Sequence, residues 1–155
     1  MAEPSAKKQL DAFIAKFDPA VAAQTKKALV AMRKRLPGAI ELVYDNYNAL
    51  AIGFAPTERT SDVIFSIVVY PRWVSLFFYW GAKLKDPKKL LRGSGSQVRH
   101  FVFETPTLLA NPDVNALMNQ ALANAKVPLD PKQKPRIVIK SIAANQRPRR
   151  PGAKP

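Results

Sequence analysis

Residues 63–80, VIFSIVVYPRWVSLFFYW, constrain the fold of this 155-residue chain more than any other stretch. They form two apolar runs, rich in β-branched and aromatic residues, on either side of Tyr70-Pro71-Arg72-Trp73. Such runs around a turn sequence predict the two strands of a hairpin. Because both faces of both strands are apolar, we expect the hairpin to lie at the centre of a sheet rather than at its edge.

The segments on either side of the hairpin predict helices and further strands. Apolar residues recur at helical spacing from Leu10 onward, and Asp18-Pro19 and Asn111-Pro112 each have the sequence of a helix start. Strands are predicted at 39–44, 50–54 and 98–104. This order indicates an α+β fold, with an antiparallel sheet of about five strands and the N-terminal and C-terminal helices packed on one of its faces.

Length and composition limit the possible classes of function. A chain of 155 residues with 47% hydrophobic residues fits one globular domain, which we place at residues 1–125. The lack of cysteine excludes thiol catalysis, iron–sulfur clusters and disulfides. Because the N-terminus has no apolar signal segment and no run is long enough to span a membrane, we expect a cytoplasmic protein without a membrane partner.

Residues 126–155 differ from the rest of the chain, since they contain nine Lys or Arg, six prolines and one acidic residue. The net charge of the whole chain is +14. We interpret this part as a basic tail, largely extended or disordered, in which residues 137–142 form either a short strand or a partner-binding element. Such a tail either solubilises the domain or binds nucleic acid, and the candidate contacts are Arg136, Lys140, Arg147, Arg149 and Arg150.

A second candidate site lies in segment 92–100, with Arg92, Gly93, Ser94, Gly95, Arg99 and His100 as its members. A Gly/Ser turn can present successive backbone N–H groups to an anion, and two arginines add positive charge. Trp73 and Tyr79 are predicted on one face of the neighbouring strand, where they would contact an apolar part of the same ligand. The alternative is a flexible loop with solvated arginines beside aromatic residues of the core.

The chain offers few residues for catalysis or for a resident cofactor. His100 is the only histidine, no serine lies in a nucleophile-elbow sequence, and the acidic residues are scattered. We therefore predict a non-enzymatic protein with no cofactor and no metal site. Trp73 and Tyr79 are also able to stack bases, although the signature sequences of an RNA-recognition sheet are missing.

Several short motifs resemble those of the YdhG-like family of bacterial domains of unknown function. They are Leu10-Asp11-Ala12-Phe13-Ile14, Pro37-Gly38-Ala39, YPRWVSLFF, Asp86-Pro87, Leu90-Leu91-Arg92-Gly93-Ser94-Gly95 and Val98-Arg99-His100. The resemblance covers about residues 8–125 and implies a compact α+β domain with helices on one face of an antiparallel sheet. A member of the wider family is described as a frataxin-like iron chaperone, so the resemblance implies that function as well.

The residues themselves bear on the iron hypothesis. Iron sites favour carboxylate oxygens or histidine nitrogens. The first two predicted helices instead carry eight Lys or Arg against Asp11 and Asp18. Three hypotheses therefore remain: binding of a small anionic ligand or a protein partner at segment 92–100, polyanion binding by the basic tail, and an iron-chaperone function, which the basic helices disfavour.

Overall fold

Three helices and six strands make up the structure, a computed structural model that describes residues 5–152. The helices are α1 Ala6–Ala15, α2 Pro19–Arg35 and α3 Pro112–Asn124. The strands are β1 Ile40–Asp45, β2 Leu50–Ala55, β3 Phe65–Val69, β4 Val74–Phe78, β5 Arg99–Val102 and β6 Ile137–Ile142. Within residues 5–152, no helix is long and apolar enough to cross a membrane.

The six strands form one sheet in the order β5-β4-β3-β2-β1-β6. Strands β1 to β5 pair antiparallel with their neighbours, whereas β6 pairs with β1 in parallel. The α+β class is confirmed, but the expectation of an antiparallel sheet of about five strands is wrong. The sheet is mixed because the chain crosses from β5 through α3 before it returns as β6 beside β1.

The central hairpin is confirmed as the middle of the sheet. Val69 pairs with Val74, and the N–H of Tyr70 donates to the carbonyl oxygen of Trp73 at 2.9 Å. Pro71 and Arg72 therefore form the turn by themselves. Since β3 lies against β2 and β4 lies against β5, neither strand is an edge.

One face of the sheet packs against the helices and forms the main core. Leu10 of α1, Met32 of α2 and Leu117 of α3 belong to the same buried cluster as this face. From β3 and β4 the face contributes six fully buried residues, Phe65, Ile67, Val69, Val74, Leu76 and Phe78. The alternation of side chains in a strand directs the residues between them to the other side of the sheet.

We call that other side the open face. On β3, β4 and β5 it consists of Ser66, Val68, Ser75, Phe77, His100 and Val102. A smaller apolar cluster lies toward β1, around Leu42 and Val63, and it contains no helix residue. The helices therefore form a layer on one side of the sheet only, as the sequence predicts.

Part of the predicted tail belongs to the fold. β6 pairs with β1 from Glu41–Ile137 to Asp45–Ile142, with one irregularity in the register. Of the two alternatives for residues 137–142, the strand is confirmed, so these residues belong to the sheet and not to a separate tail. The composition obscures this strand because its apolar residues, Ile137, Val138, Ile139 and Ile142, lie in a segment rich in Lys, Arg and Pro.

Gly38 allows the segment between α3 and β6 to pass close to the chain just before β1. Its φ is +82°, and a Cβ at this position would collide with the carbonyl oxygen of Asp130. We expect Gly38→Ala to lower the free energy of unfolding by about 1–3 kcal/mol, measured by urea unfolding. The matched control is Gly95→Ala, since a Cβ on Gly95 meets no atom within 4 Å. Equal effects of the two substitutions would contradict this account.

Candidate functional site

The tip of the β3–β4 hairpin carries two aromatic residues on the side of the open face. Tyr70 and Trp73 stand opposite each other, and their rings stack with centroids 4.8 Å apart at an interplanar angle of 24°. Trp73 is 42% exposed, and Tyr70 is half-buried. Burial raises the pKa of the Tyr70 hydroxyl, so this group stays protonated at neutral pH. The tip thus presents an uncharged aromatic platform to solvent.

A groove with a volume of about 600 Å³ lies between this tip and residues 147–152. We call it the tip groove. Its lining is Asn48, Tyr70, Pro71, Arg72, Trp73, Arg147, Pro148, Arg150, Pro151 and Gly152. Three of these residues are arginines and none is acidic, so the groove combines a strong positive charge with aromatic surface.

The three arginines of the tip groove differ in how far they are already paired. Nε of Arg150 donates to the carbonyl oxygen of Lys16 at 3.2 Å and lies 4.0 Å from a carboxylate oxygen of Asp18, in an exposed position. Within residues 5–152, the side chains of Arg72 and Arg147 have no hydrogen-bond or ion-pair partner. Two guanidinium groups are therefore free to bind an anion, and a guanidinium matches the geometry of phosphate.

A buried ion pair holds residues 147–152, which form one wall of the tip groove, in place. Nη2 of Arg149 donates to Oδ1 of Asp45 at 2.9 Å, and the two side chains are 4% and 0% exposed. Nζ of Lys16 donates to the other carboxylate oxygen at 2.8 Å. Arg149 also donates to the carbonyl oxygens of Asn46 and Tyr47. These bonds attach Arg149 to the connection between β1 and β2.

Backbone contacts continue this attachment on both sides of Arg149. The N–H of Ala143 donates to the carbonyl oxygen of Asp45 at 2.8 Å, and the N–H of Arg147 donates to that of Tyr47 at 2.9 Å. Nε2 of Gln146 donates to the carbonyl oxygen of Asp45 at 3.0 Å. The chain after β6 therefore follows the β1–β2 connection, which places Arg147 and Arg150 at the hairpin tip.

The surroundings of Asp45 lower the pKa of its carboxyl group. Burial alone would raise this pKa, but hydrogen bonds from Lys16, Gln146 and Arg149 outweigh the effect of burial. The carboxylate is consequently charged at neutral pH, which keeps the pair with Arg149 ionic.

This lowered pKa predicts an acid-sensitive contribution to stability. Because the folded-state pKa of Asp45 lies below its ordinary value of 3.8, the contribution is fully present above that pH and is lost as the pH falls through the folded-state pKa. In Asp45→Asn, we expect the free energy of unfolding to decrease less than in the wild type as the pH is lowered. Urea unfolding at a series of pH values measures both slopes, and parallel curves would contradict the expectation.

Segment 92–100 forms a turn at the edge of the sheet, and the anion site predicted there stays a prediction. Arg92 and His100 exchange backbone hydrogen bonds of 2.7 and 3.0 Å, so the residues between them form a closed turn. Nη1 of Arg99 donates to the carbonyl oxygens of Gly95 and Val98 at 2.6 and 2.9 Å. The side chain of Arg99 therefore stabilises this turn through hydrogen bonds to its backbone. Gly93, Ser94 and Gly95 are exposed.

The aromatic residues predicted beside that segment do not lie together. Trp73 precedes β4 and Tyr79 follows it, so about 20 Å of extended chain separates them at about 3.3 Å per residue. Tyr79 packs with the small apolar cluster of Leu42 and Val63 and meets Trp80 edge to face. Alternation places both residues on the expected face, but the length of the strand prevents a shared site, and only Trp73 reaches the tip groove.

His100 stacks on Phe77, with ring centroids 4.8 Å apart at 17°. Burial and, to a lesser extent, the charge of Arg92 lower the pKa of His100 below its ordinary value. The imidazole is thus mainly neutral at pH 7, and it acts as an aromatic surface on the open face.

The five basic residues predicted to bind nucleic acid fall into three groups. Arg136 pairs with the carboxylate of Glu58 at 2.8 Å, and Nζ of Lys140 donates to the Glu58 carbonyl oxygen at 3.0 Å. Arg149 is buried against Asp45, so its guanidinium is not on the surface of the structure, and the nucleic-acid contact predicted for it stays a prediction. Arg147 and Arg150 line the tip groove with Trp73.

Sequence reasoning missed Tyr70 and Arg72 as members of this site. The signal for both is the turn sequence YPRW, because a two-residue turn places its flanking aromatic residues side by side and leaves Arg72 exposed between them. The tip groove thus joins residues from two separate predictions, Trp73 from one and Arg147 with Arg150 from the other.

Neither the placement of metal-ligating side chains in the described residues nor the comparison with known proteins indicates a function. Among the residues that the structure describes, no group of three or more His, Asp or Glu is placed to hold a metal ion. Comparisons of the chain with protein-family models, curated proteins and solved structures find no match. The resemblance to the YdhG-like family stays a prediction.

Proposed function

We propose that this protein binds single-stranded nucleic acid in the tip groove. The observation that carries the proposal is the convergence of three arginines, with no acidic lining residue, on the exposed ring of Trp73, which stacks on the half-buried Tyr70. Arginines neutralise phosphates, and an exposed aromatic ring stacks on a base. The groove therefore has both kinds of contact that a nucleotide strand needs.

The aromatic platform favours a single strand over a duplex. The faces of bases in a duplex are covered by their neighbours, whereas unpaired bases are free to stack on Trp73. The net charge of +14 attracts either form and speeds encounter with it. Preference for the single strand is thus the property that separates the tip groove from general charge attraction.

We further propose a binding protein rather than an enzyme. The ionisable groups of the groove lining are the three guanidinium groups and the raised-pKa hydroxyl of Tyr70. Guanidinium groups hold their protons at all ordinary pH values, and such a hydroxyl is a poor base at neutral pH. This lining favours retention of a phosphate over chemistry on it.

The proposal is tested with labelled oligonucleotides of about 12 nucleotides, within the size range of single-strand sites. Fluorescence anisotropy measures binding of the single strand and of the matching duplex between about 50 and 200 mM salt. We expect tighter binding of the single strand, with a slope of log K against log salt of about −2 or steeper, since each of the three phosphates held in the tip groove contributes about 0.7. Equal affinity for strand and duplex would overturn the proposal.

A further inference from the structure

We infer that the open face extends the tip groove, and that Phe77 with His100 forms a second stacking platform for the same nucleic-acid strand. This inference rests on the proposed function, because the nucleic-acid strand has to bind first at Trp73. It also gives a role to the part of the sheet that no helix covers.

The register of the sheet arranges the open face in three rows. Tyr70 and Trp73 form the row at the hairpin tip. The next row consists of short side chains, since Val68 pairs with Ser75 and Ser75 pairs with Val102. The third row is Ser66, Phe77 and His100. This middle row separates the two aromatic rows, and its residues Val68 and Ser75 are buried at 9% and 1% exposure.

The side of Phe77 that faces away from His100 lies next to the short side chain of Ser66. The next residue across the sheet is Gly53, which has no side chain. Val63 covers Gly53, with its methyl groups 3.1 and 3.2 Å from the position of a Cβ. Two strand spacings, about 10 Å, separate Gly53 from Phe77. The inference places a flat ring beside Phe77, above Ser66.

Positive charge lies next to this second platform as well. The backbone of Arg92 pairs with that of His100 at the edge of the sheet. After burial, the charge of Arg92 is the second cause of the lowered pKa of the His100 imidazole. Within residues 5–152, the side chain of Arg92 has no hydrogen-bond or ion-pair partner. It can thus neutralise the phosphate of a nucleotide whose base stacks on Phe77, in the way proposed for Arg72 at the hairpin tip.

The distance between the platforms sets a length requirement for the ligand. Trp73 and Phe77 are four residues apart on one strand, which is about 13 Å. This equals about four stacked nucleotides at about 3.4 Å each. A dinucleotide therefore occupies only the tip groove, whereas a strand of about ten nucleotides reaches both platforms.

The test compares a thymidine dinucleotide, titrated by NMR, with a ten-nucleotide oligothymidylate, measured by anisotropy. We expect Phe77→Leu to weaken binding of the long strand by about fivefold to a hundredfold, the range for loss of one stacked base. Binding of the dinucleotide should not change. Trp73→Leu should weaken both ligands. The control is Trp80→Leu, which removes a 45% exposed ring outside the open face and should change neither.

The outcomes separate the inference from the proposed function. If Trp73→Leu weakens binding while Phe77→Leu binds the long strand like the wild type, the tip groove stands and the second platform is refuted. If neither substitution changes any affinity, both are refuted. Should Phe77→Leu fail to fold, Ser66→Leu fills the space beside an intact Phe77 and is expected to weaken the long strand alone. Unchanged binding by that variant would also overturn the inference.

Discussion

Replacing Asp45 by alanine is expected to lower the free energy of unfolding by about 3–5 kcal/mol, the range for removal of one partner from a buried ion pair. The substitution leaves the guanidinium of Arg149 inside the protein without its counter-charge. That side chain is 4% exposed, and its Nε already has no hydrogen-bond partner in the described part of the chain. Lys16, being much more exposed, can turn to solvent. Chemical denaturation of both proteins at neutral pH measures the difference.

The control for this prediction is Glu58→Ala. Glu58 also pairs with an arginine, Arg136, but the two side chains are 51% and 47% exposed. An exposed pair contributes about 0–1 kcal/mol, so the control should unfold almost like the wild type. A loss in Asp45→Ala no larger than that in Glu58→Ala would show that the Asp45–Arg149 pair does not hold residues 147–152 in place.

The second large effect is expected on binding. Combining Arg72→Gln, Arg147→Gln and Arg150→Gln should weaken binding of a single strand by about 30- to 1,000-fold near 150 mM salt, from about three- to tenfold per lost phosphate contact. The salt dependence should largely disappear with the affinity, because the counterions released on binding are those of the contacted phosphates. Anisotropy titrations across a salt series measure both quantities.

A charge-matched variant separates the tip groove from overall charge. Arg59→Gln, Lys26→Gln and Lys34→Gln together remove the same three positive charges from exposed positions outside the groove. We expect this control to bind a single strand within a few-fold of the wild type, since distant exposed charges are screened at that salt concentration. Similar losses in the two triple variants would assign binding to net charge.

Local sequence patterns predict the parts of the fold that depend on neighbouring residues. The β3–β4 hairpin follows from β-branched and aromatic runs around a two-residue turn, and the start of α3 follows from Asn111, whose side chain accepts from the N–H groups of Asp113 and Val114. Asp18 occupies the equivalent position before α2 but makes no capping bond with its side chain. The position of a helix start was thus predictable even where its contact was not.

The candidate site was predictable only in pieces, because its contacts join distant parts of the chain. Arg149 is 104 residues from Asp45 in sequence, and nothing in a basic, proline-rich segment indicates that one of its arginines is buried. Residue type alone grouped Arg149 with Arg147 and Arg150. The contacts with Asp45 and the β1–β2 connection distinguish the three arginines, because they bury Arg149 and place Arg147 and Arg150 in the tip groove.

Photo-cross-linking tests the central claim most directly. A single strand that carries a photoreactive base is cross-linked to the full chain at about 150 mM salt, where weak charge attraction is screened, and the attached residues are mapped by mass spectrometry. The proposed function predicts cross-links to Tyr70 or Trp73 in the hairpin tip and to the segment around Arg147. Cross-links confined to the outer surface of α2, or equally spread over the basic surface, would contradict it.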